Sequence, residues 1–286
     1  MMRIISIFFT TLLLFLMFSC NRKEPVSALK PEKLISLAYG NDTRNVMDVY
    51  LPENRTDKTP FVLLIHGGGW IAGDKSYFSF LQDNLLNKGI ASASINYRYV
   101  SENIHYNELM SDINNAIHYI QQNALSWNIR NKGFIIGGHS AGAHMALLYA
   151  YSFDENSHIK SIISMAGPSD FFDKNILDML KKQYPEQFRV IEWLANAKYE
   201  KEQVLAENFK LISPYWKIKN VPTLFIHGQK DELINYSQAE MLYNKLQDSK
   251  IKSKLVLIPE ANHSFTNVPM QLPLIEKEIT DWINSN

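Results

Sequence analysis

Residues 133–151 read GFIIGGHSAGAHMALLYAY. An apolar run that suits a buried strand, GFIIGG (133–138), gives way within two residues to AGAHMALLYAY, which reads as a helix. At the changeover Ser140 sits in Gly138-His139-Ser140-Ala141-Gly142, with a glycine two positions away on each side. A strand-to-helix turn this tight strains the serine backbone and leaves no room for side chains at the flanking positions, which is why glycine occupies both. The helix start also sets its positive dipole end beneath the hydroxyl. The pattern is that of a nucleophile elbow, and Ser140 is the candidate nucleophile. The bland alternative is a Gly-rich turn with no chemistry.

Three other places supply what such a serine needs. His66-Gly67-Gly68-Gly69-Trp70 follows the continuous apolar run FVLLI (61–65), the kind of run buried on both faces of a parallel sheet. Consecutive glycines leave amides unshielded, so the N–H groups of Gly68 and Gly69, with that of Ala141, are candidates to hold a developing oxyanion. Asp231 ends His227-Gly228-Gln229-Lys230-Asp231, just past an apolar run at 221–226. A carboxylate there can orient an imidazole, and the adjacent Glu232 competes for that role. His263, in Ala261-Asn262-His263-Ser264-Phe265, is the histidine that follows both the serine and the acid, and so the candidate base. His66 and His227 read as local hydrogen-bonding groups inside their motifs.

Around these points the chain alternates. ISLAYG and VMDVYLP flank a polar turn at Asn41-Asp42-Thr43 and suggest an antiparallel hairpin at a sheet edge. A helix around 77–88 stopped by Gly89, a strand at 90–98, a helix through Leu109, Ile113, Ala116, Ile117 and Ile120, and a strand at 159–167 follow. Strands at 221–228 and 254–259, with helices near 238–246 and 274–282, complete the series. This is an α/β pattern with a mostly parallel central sheet flanked by helices. The rhythm breaks at about 171–216, where Tyr184, Phe188, Trp193, Tyr199, Phe209, Tyr215 and Trp216 fall. That stretch is expected to be a helical insertion, a lid or substrate wall over the C-terminal edge of the sheet, unless its aromatics merely pack it onto the body.

The 286 residues carry 29 Lys+Arg against 29 Asp+Glu, and 46% are hydrophobic. Zero formal charge argues against a nucleic-acid partner, and the composition is globular rather than fibrous or disordered. The single cysteine, Cys20, excludes an internal disulfide and a Cys-based metal site, and no metal or cofactor is called for. Residues 1–19 read as a signal peptide: Arg3, then the apolar run 4–18. LMFSC resembles the lipobox of bacterial lipoproteins, with Cys20 as the lipidation site, residues 20–33 as a tether and 34–286 as the folded domain. The alternative is an uncleaved anchor ending at Arg22 and Lys23. The expected location is therefore exported, membrane-attached only through an N-terminal lipid. Nothing in the sequence sets the oligomeric state.

HGGGW (66–70), INYR (95–98), GGHSAGAH (137–144), SPYW (213–216), PTLFIHGQKD (222–231) and NHSF (262–265) together resemble α/β-hydrolase esterases. They are most similar to the branch of hormone-sensitive-lipase-like carboxylesterases and bacterial feruloyl and acetylxylan esterases. The resemblance spans roughly residues 35–282. It departs from the hormone-sensitive-lipase branch at His139, where that branch often has Asp. It implies Ser140 as nucleophile, His263 as base, Asp231 as its partner, and Gly68, Gly69 and Ala141 as the oxyanion hole. The implied substrate is a short-chain acyl or feruloyl ester, small or glycan-linked. Arylformamidases and prolyl-oligopeptidase-type peptidases share similar patterns, and a non-catalytic hydrolase-fold binding protein is the answer from a different class.

Overall fold

The computed structural model describes residues 29–286. The signal-peptide reading of 1–19, lipidation at Cys20 and the tether up to residue 28 lie outside the described residues. Eight strands form one sheet: β1 (Glu32–Ala38), β2 (Val46–Leu51), β3 (Phe61–Ile65), β4 (Ala91–Ile95), β5 (Phe134–His139), β6 (Ile159–Met165), β7 (Thr223–Gly228) and β8 (Ser253–Ile258). Their order is β1-β2-β4-β3-β5-β6-β7-β8. β1 pairs antiparallel with β2, and β2 with β4; every other pairing is parallel. The hairpin at the sheet edge is as the sequence suggests. The first strand begins at Glu32, so the last two residues of the expected tether belong to the sheet.

Strands β3, β5 and β7 are buried along their whole length, as continuous apolar runs require in a covered parallel sheet. One face is packed by α2 (Tyr106–Trp127), α3 (Ala141–Ser152) and α7 (Ser237–Asp248), the other by α1 (Ser79–Asn87) and α8 (Leu272–Ser285). Leu109, Ile113, Ala116, Ile117 and Ile120 do lie on the inward stripe of α2. Helix α3 is buried on all sides but its last residue, which suits its nearly unbroken apolar sequence. The strand expected over 90–98 stops at Ile95. Beyond it Asn96 turns its amide to other work, accepting from the Lys75 backbone N–H at 2.6 Å and donating to Asp74 at 2.8 Å. Arg98 then meets the fully buried Asp112 of α2 through Nη2 and Oδ1 at 2.8 Å.

The connections leave β3 toward β4 on one side and return to β5 on the other. The strand order therefore reverses between β3 and β5, and in open α/β sheets the crevice at the carboxyl ends of such a pair is where ligands bind. The glycine run follows β3, and Ser140 follows β5. Between β6 and β7 the insertion is helical, as expected: α4 (Lys174–Gln183), α5 (Pro185–Ala195) and α6 (Glu207–Leu211). Asp173 caps α4 by accepting from Asn175 N–H at 2.7 Å, Pro185 occupies the first turn of α5, and Asn196 ends α5 in the left-handed region at φ 50°.

Candidate active site

Ser140 has φ 54° and ψ −121°, a backbone state unfavourable for any residue with a Cβ. Its neighbours show why the turn holds. A Cβ at Gly142 would lie 1.9 Å from the Ile65 carbonyl oxygen, and one at Gly138 would lie 2.6 Å from the same atom. The two glycines let β3, β5 and α3 close on one another and force the serine outward. Gly142→Ala is expected to destabilise the fold by roughly 3 kcal/mol or more, because backbone, not a flexible side chain, must yield. Gly69, at φ 56° with nothing within 4 Å of its would-be Cβ, is the contrast. Gly69→Ala meets only backbone strain, about 1–2 kcal/mol. Urea unfolding of the two variants checks the ordering.

The four sequence-selected places converge. Ser140 Oγ and His263 Nε2 are 2.8 Å apart, and His263 Nδ1 is 2.7 Å from Asp231 Oδ2. The Asp231 side chain is fully buried, and its Oδ1 accepts from the backbone N–H groups of Leu233 at 2.9 Å and Ile234 at 2.8 Å. Burial by itself raises the Asp231 carboxyl, but hydrogen bonds from His227, His263 and the Ile234 amide outweigh it and hold the group well below the usual carboxylate range. Glu232 is exposed, and what it contributes is its main-chain carbonyl, which accepts from Tyr184 Oη at 3.1 Å. The amides of Gly68, Gly69 and Ala141 donate to no acceptor among the described residues, and Gly68 and Gly69 line the same cavity as Ser140. No cluster of three or more His, Cys, Asp or Glu side chains suited to a metal occurs among the described residues.

His139 has a function the motif alone does not reveal. Its Nε2–H donates to the main-chain carbonyl of His263 at 2.9 Å, and its ring stacks on Tyr77 with centroids 5.3 Å apart. A carboxylate at this position would face that carbonyl as a second acceptor, so the histidine is tied to this loop geometry. Sequence reasoning quoted His144 within GGHSAGAH but gave it no role, although it lies one helical turn past Ser140. Fully buried, it accepts from Trp70 Nε1–H at 3.2 Å through Nδ1 and donates from Nε2 to the Ile212 carbonyl at 2.7 Å. One neutral imidazole thereby ties the glycine loop, the elbow helix and the insertion together.

Burial pushes the imidazoles of His66, His139 and His144 down from 6.5 to about 4. The unfolded chain takes up these protons below 6.5, whereas the folded protein resists until about 4. Between those values the unfolded state binds more protons, so stability is complete above the upper value and declines as pH falls toward the lower. At pH 5 each histidine is expected to subtract roughly 2 kcal/mol. Urea midpoints at pH 7.5 and pH 5 test this, and equal midpoints would contradict neutral burial.

The cavity above Ser140 has a volume of about 670 Å³. Its walls are mainly apolar: Trp70, Ile71 and Tyr77, with Leu180 of α4, Phe188 and Ile191 of α5 and Tyr184 at the junction of these two helices. The insertion is thus a wall of the site. Of its nine aromatic residues, Phe171, Tyr184 and Phe188 line the cavity, while Tyr199 and Phe209 are buried in packing the insertion itself.

A strained serine between a parallel strand and a buried helix, with an imidazole and a carboxylate delivered by later strands of the same sheet, defines an α/β-hydrolase. A family model described as BD-FAE matches residues 47–246, and the chain belongs to that family. It is 26% identical over 262 residues to the isoprenylcysteine alpha-carbonyl methylesterase ICME of Arabidopsis thaliana, an alignment covering 84% of this chain and 58% of that protein. The kynurenine formamidase of Salmo salar is 24% identical over 256 residues, covering 84% of this chain and 81% of the relative. Among solved structures, a truncated form of a carbohydrate esterase from gut microbiota superposes with a TM-score of 0.74 at 21% identity, covering 92% of this chain and 99% of that one.

Proposed function

We propose that this chain is a serine esterase that cleaves short-chain acyl or feruloyl esters through an acyl-enzyme. The observation that carries the reading is the unbroken line Ser140–His263–Asp231, with contacts of 2.8 and 2.7 Å, at the floor of an apolar cavity. His263 Nε2 takes the Ser140 proton as Oγ attacks the ester carbonyl, and the amides of Gly68, Gly69 and Ala141 stabilise the oxyanion. The alcohol leaves with the proton carried by His263. A water activated by the same imidazole then hydrolyses the acyl-enzyme. The cavity walls suit the acyl or aryl part of a substrate, since apolar side chains gain by covering apolar groups and cannot satisfy sugar hydroxyls. A lipid-tethered enzyme of this kind would meet ester-decorated polysaccharide fragments outside the cytoplasm.

The test uses the chain from Asn21 onward and p-nitrophenyl acetate, butyrate and octanoate together with methyl ferulate. Turnover of the short or feruloyl esters, with covalent labelling of Ser140 by a fluorophosphonate, is expected. No turnover and no labelling would point instead to a binding protein. A second reading, hydrolysis of an aryl formamide, is favoured by the kynurenine formamidase relative, most of whose length this chain spans. Formanilide turnover exceeding that of every ester would put it first.

A further inference from the structure

His227, the penultimate residue of β7, is fully buried and makes its own contact with Asp231, the acid of the proposed triad. Its Nε2 lies 3.1 Å from Asp231 Oδ2 and 2.9 Å from the Ile234 carbonyl oxygen. Both neighbours are acceptors, so Nε2 must carry the hydrogen and share it between them. The other ring nitrogen, Nδ1, is buried and has no partner among the described residues. Protonating it would create a donor with no acceptor, whereas leaving it as a bare lone pair is the lesser loss.

We infer that His227 is a positioning residue for the triad: a second imidazole whose Nε2–H clamps the Asp231 carboxylate for His263. Asp231 Oδ2 then holds two ring N–H groups, from His263 and from His227, while Oδ1 holds the two amides of Leu233 and Ile234. Rotation of the carboxylate would break all four at once. Two of the four donors are backbone amides and carry no charge, and the cation that the proposed mechanism brings to Asp231 is His263 when it takes the serine proton. Backbone packing fixes where the clamp starts: a Cβ at Gly228 would lie 2.3 Å from the Ala261 carbonyl, so β7 and the loop carrying His263 are pressed together there.

This inference rests on the triad reading, and a double-mutant cycle separates the two. With p-nitrophenyl acetate, His227→Met is expected to lower kcat by about 10- to 100-fold with KM within about twofold, the size expected for one hydrogen bond to a charged group. His227→Gln, whose amide N–H reaches the place of Nε2, should recover most of the rate. In an Asp231→Asn background, His227→Met should cause no further loss, because the group it acts through is already gone. Losses that simply multiply, or a wild-type rate in His227→Met, would overturn the inference while leaving the triad standing. Full activity in Ser140→Ala would fell both. If His227→Met does not fold, ¹⁵N-detected imidazole spectra of the wild-type protein at pH 7 decide. Hydrogen on Nε2 of His227 is expected, and the tautomer with hydrogen on Nδ1 alone would refute the proposal.

Discussion

Ser140→Ala is expected to reduce ester turnover by roughly 10⁴- to 10⁶-fold and to abolish fluorophosphonate labelling, with the fold unchanged. In the proposed mechanism the serine hydroxyl forms the acyl-enzyme, and no other hydroxyl is seen within hydrogen-bonding distance of His263 Nε2 among the described residues. Folding should survive because the features that hold the turn are not the hydroxyl. The Ser140 N–H donates to the Met165 carbonyl at 2.8 Å, its carbonyl receives the His144 N–H at 3.0 Å, and glycines 138 and 142 supply the clearance. Alanine tolerates φ 54° no worse than serine does. A circular-dichroism melt within a few degrees of wild type, alongside the loss of turnover, is the expected pair of results. Retained turnover would remove Ser140 from the mechanism and with it the acyl-enzyme.

Asp231→Asn is expected to lower kcat by up to about 10⁴-fold, and Glu232→Gln to leave it within about twofold. The carboxylate accepts from four donors, two amides on Oδ1 and two imidazoles on Oδ2. An asparagine must turn its NH₂ toward one of those pairs. If it faces the imidazoles, His263 is driven to the tautomer with hydrogen on Nε2, which then cannot accept the serine proton. If it faces the amides, two backbone N–H groups lose their partner and the loop is destabilised. Glu232 is exposed and engages the site only through its backbone, so neutralising its side chain changes no hydrogen bond there. Full activity in Asp231→Asn together with loss in Glu232→Gln would transfer the acid role to Glu232.

The elbow was legible because its demands are local. A turn from Gly138 to Gly142 must clear the Ile65 carbonyl, and only glycine does so. The glycine run was legible for a similar reason: Gly68, at φ 115° with a would-be Cβ 2.2 Å from the Ala72 carbonyl, leaves a single residue type possible. Asp231 was singled out by the family resemblance, while the reading of the residues alone left Glu232 as a competitor. Adjacent acidic residues differ in sequence by nothing that records which one is buried against an imidazole. His144 stayed hidden because a histidine inside an apolar helix looks like core, and its partners, Trp70 and Ile212, come from elsewhere in the chain. The aromatic insertion was visible as an excess of residues, but which rings face the cavity was not. Periodicity marks a helix face and does not say what lies opposite.

The sequence by itself determined the strand-and-helix alternation, the strained serine turn, the exposed amides after β3 and the chain order of serine, acid and base. Each of these depends on backbone sterics or side-chain chemistry within a few residues. Only the tertiary structure decided the pairing of Ser140 with His263, 123 residues apart, the burial of Asp231 against it, the second imidazole at His227, and the apolar cavity walled in part by α4 and α5. Those features arise where segments distant in the chain exclude water together. Burial and hydrogen-bond satisfaction at such places are properties of the packed sheet and its insertion, set by the neighbours each residue acquires on folding.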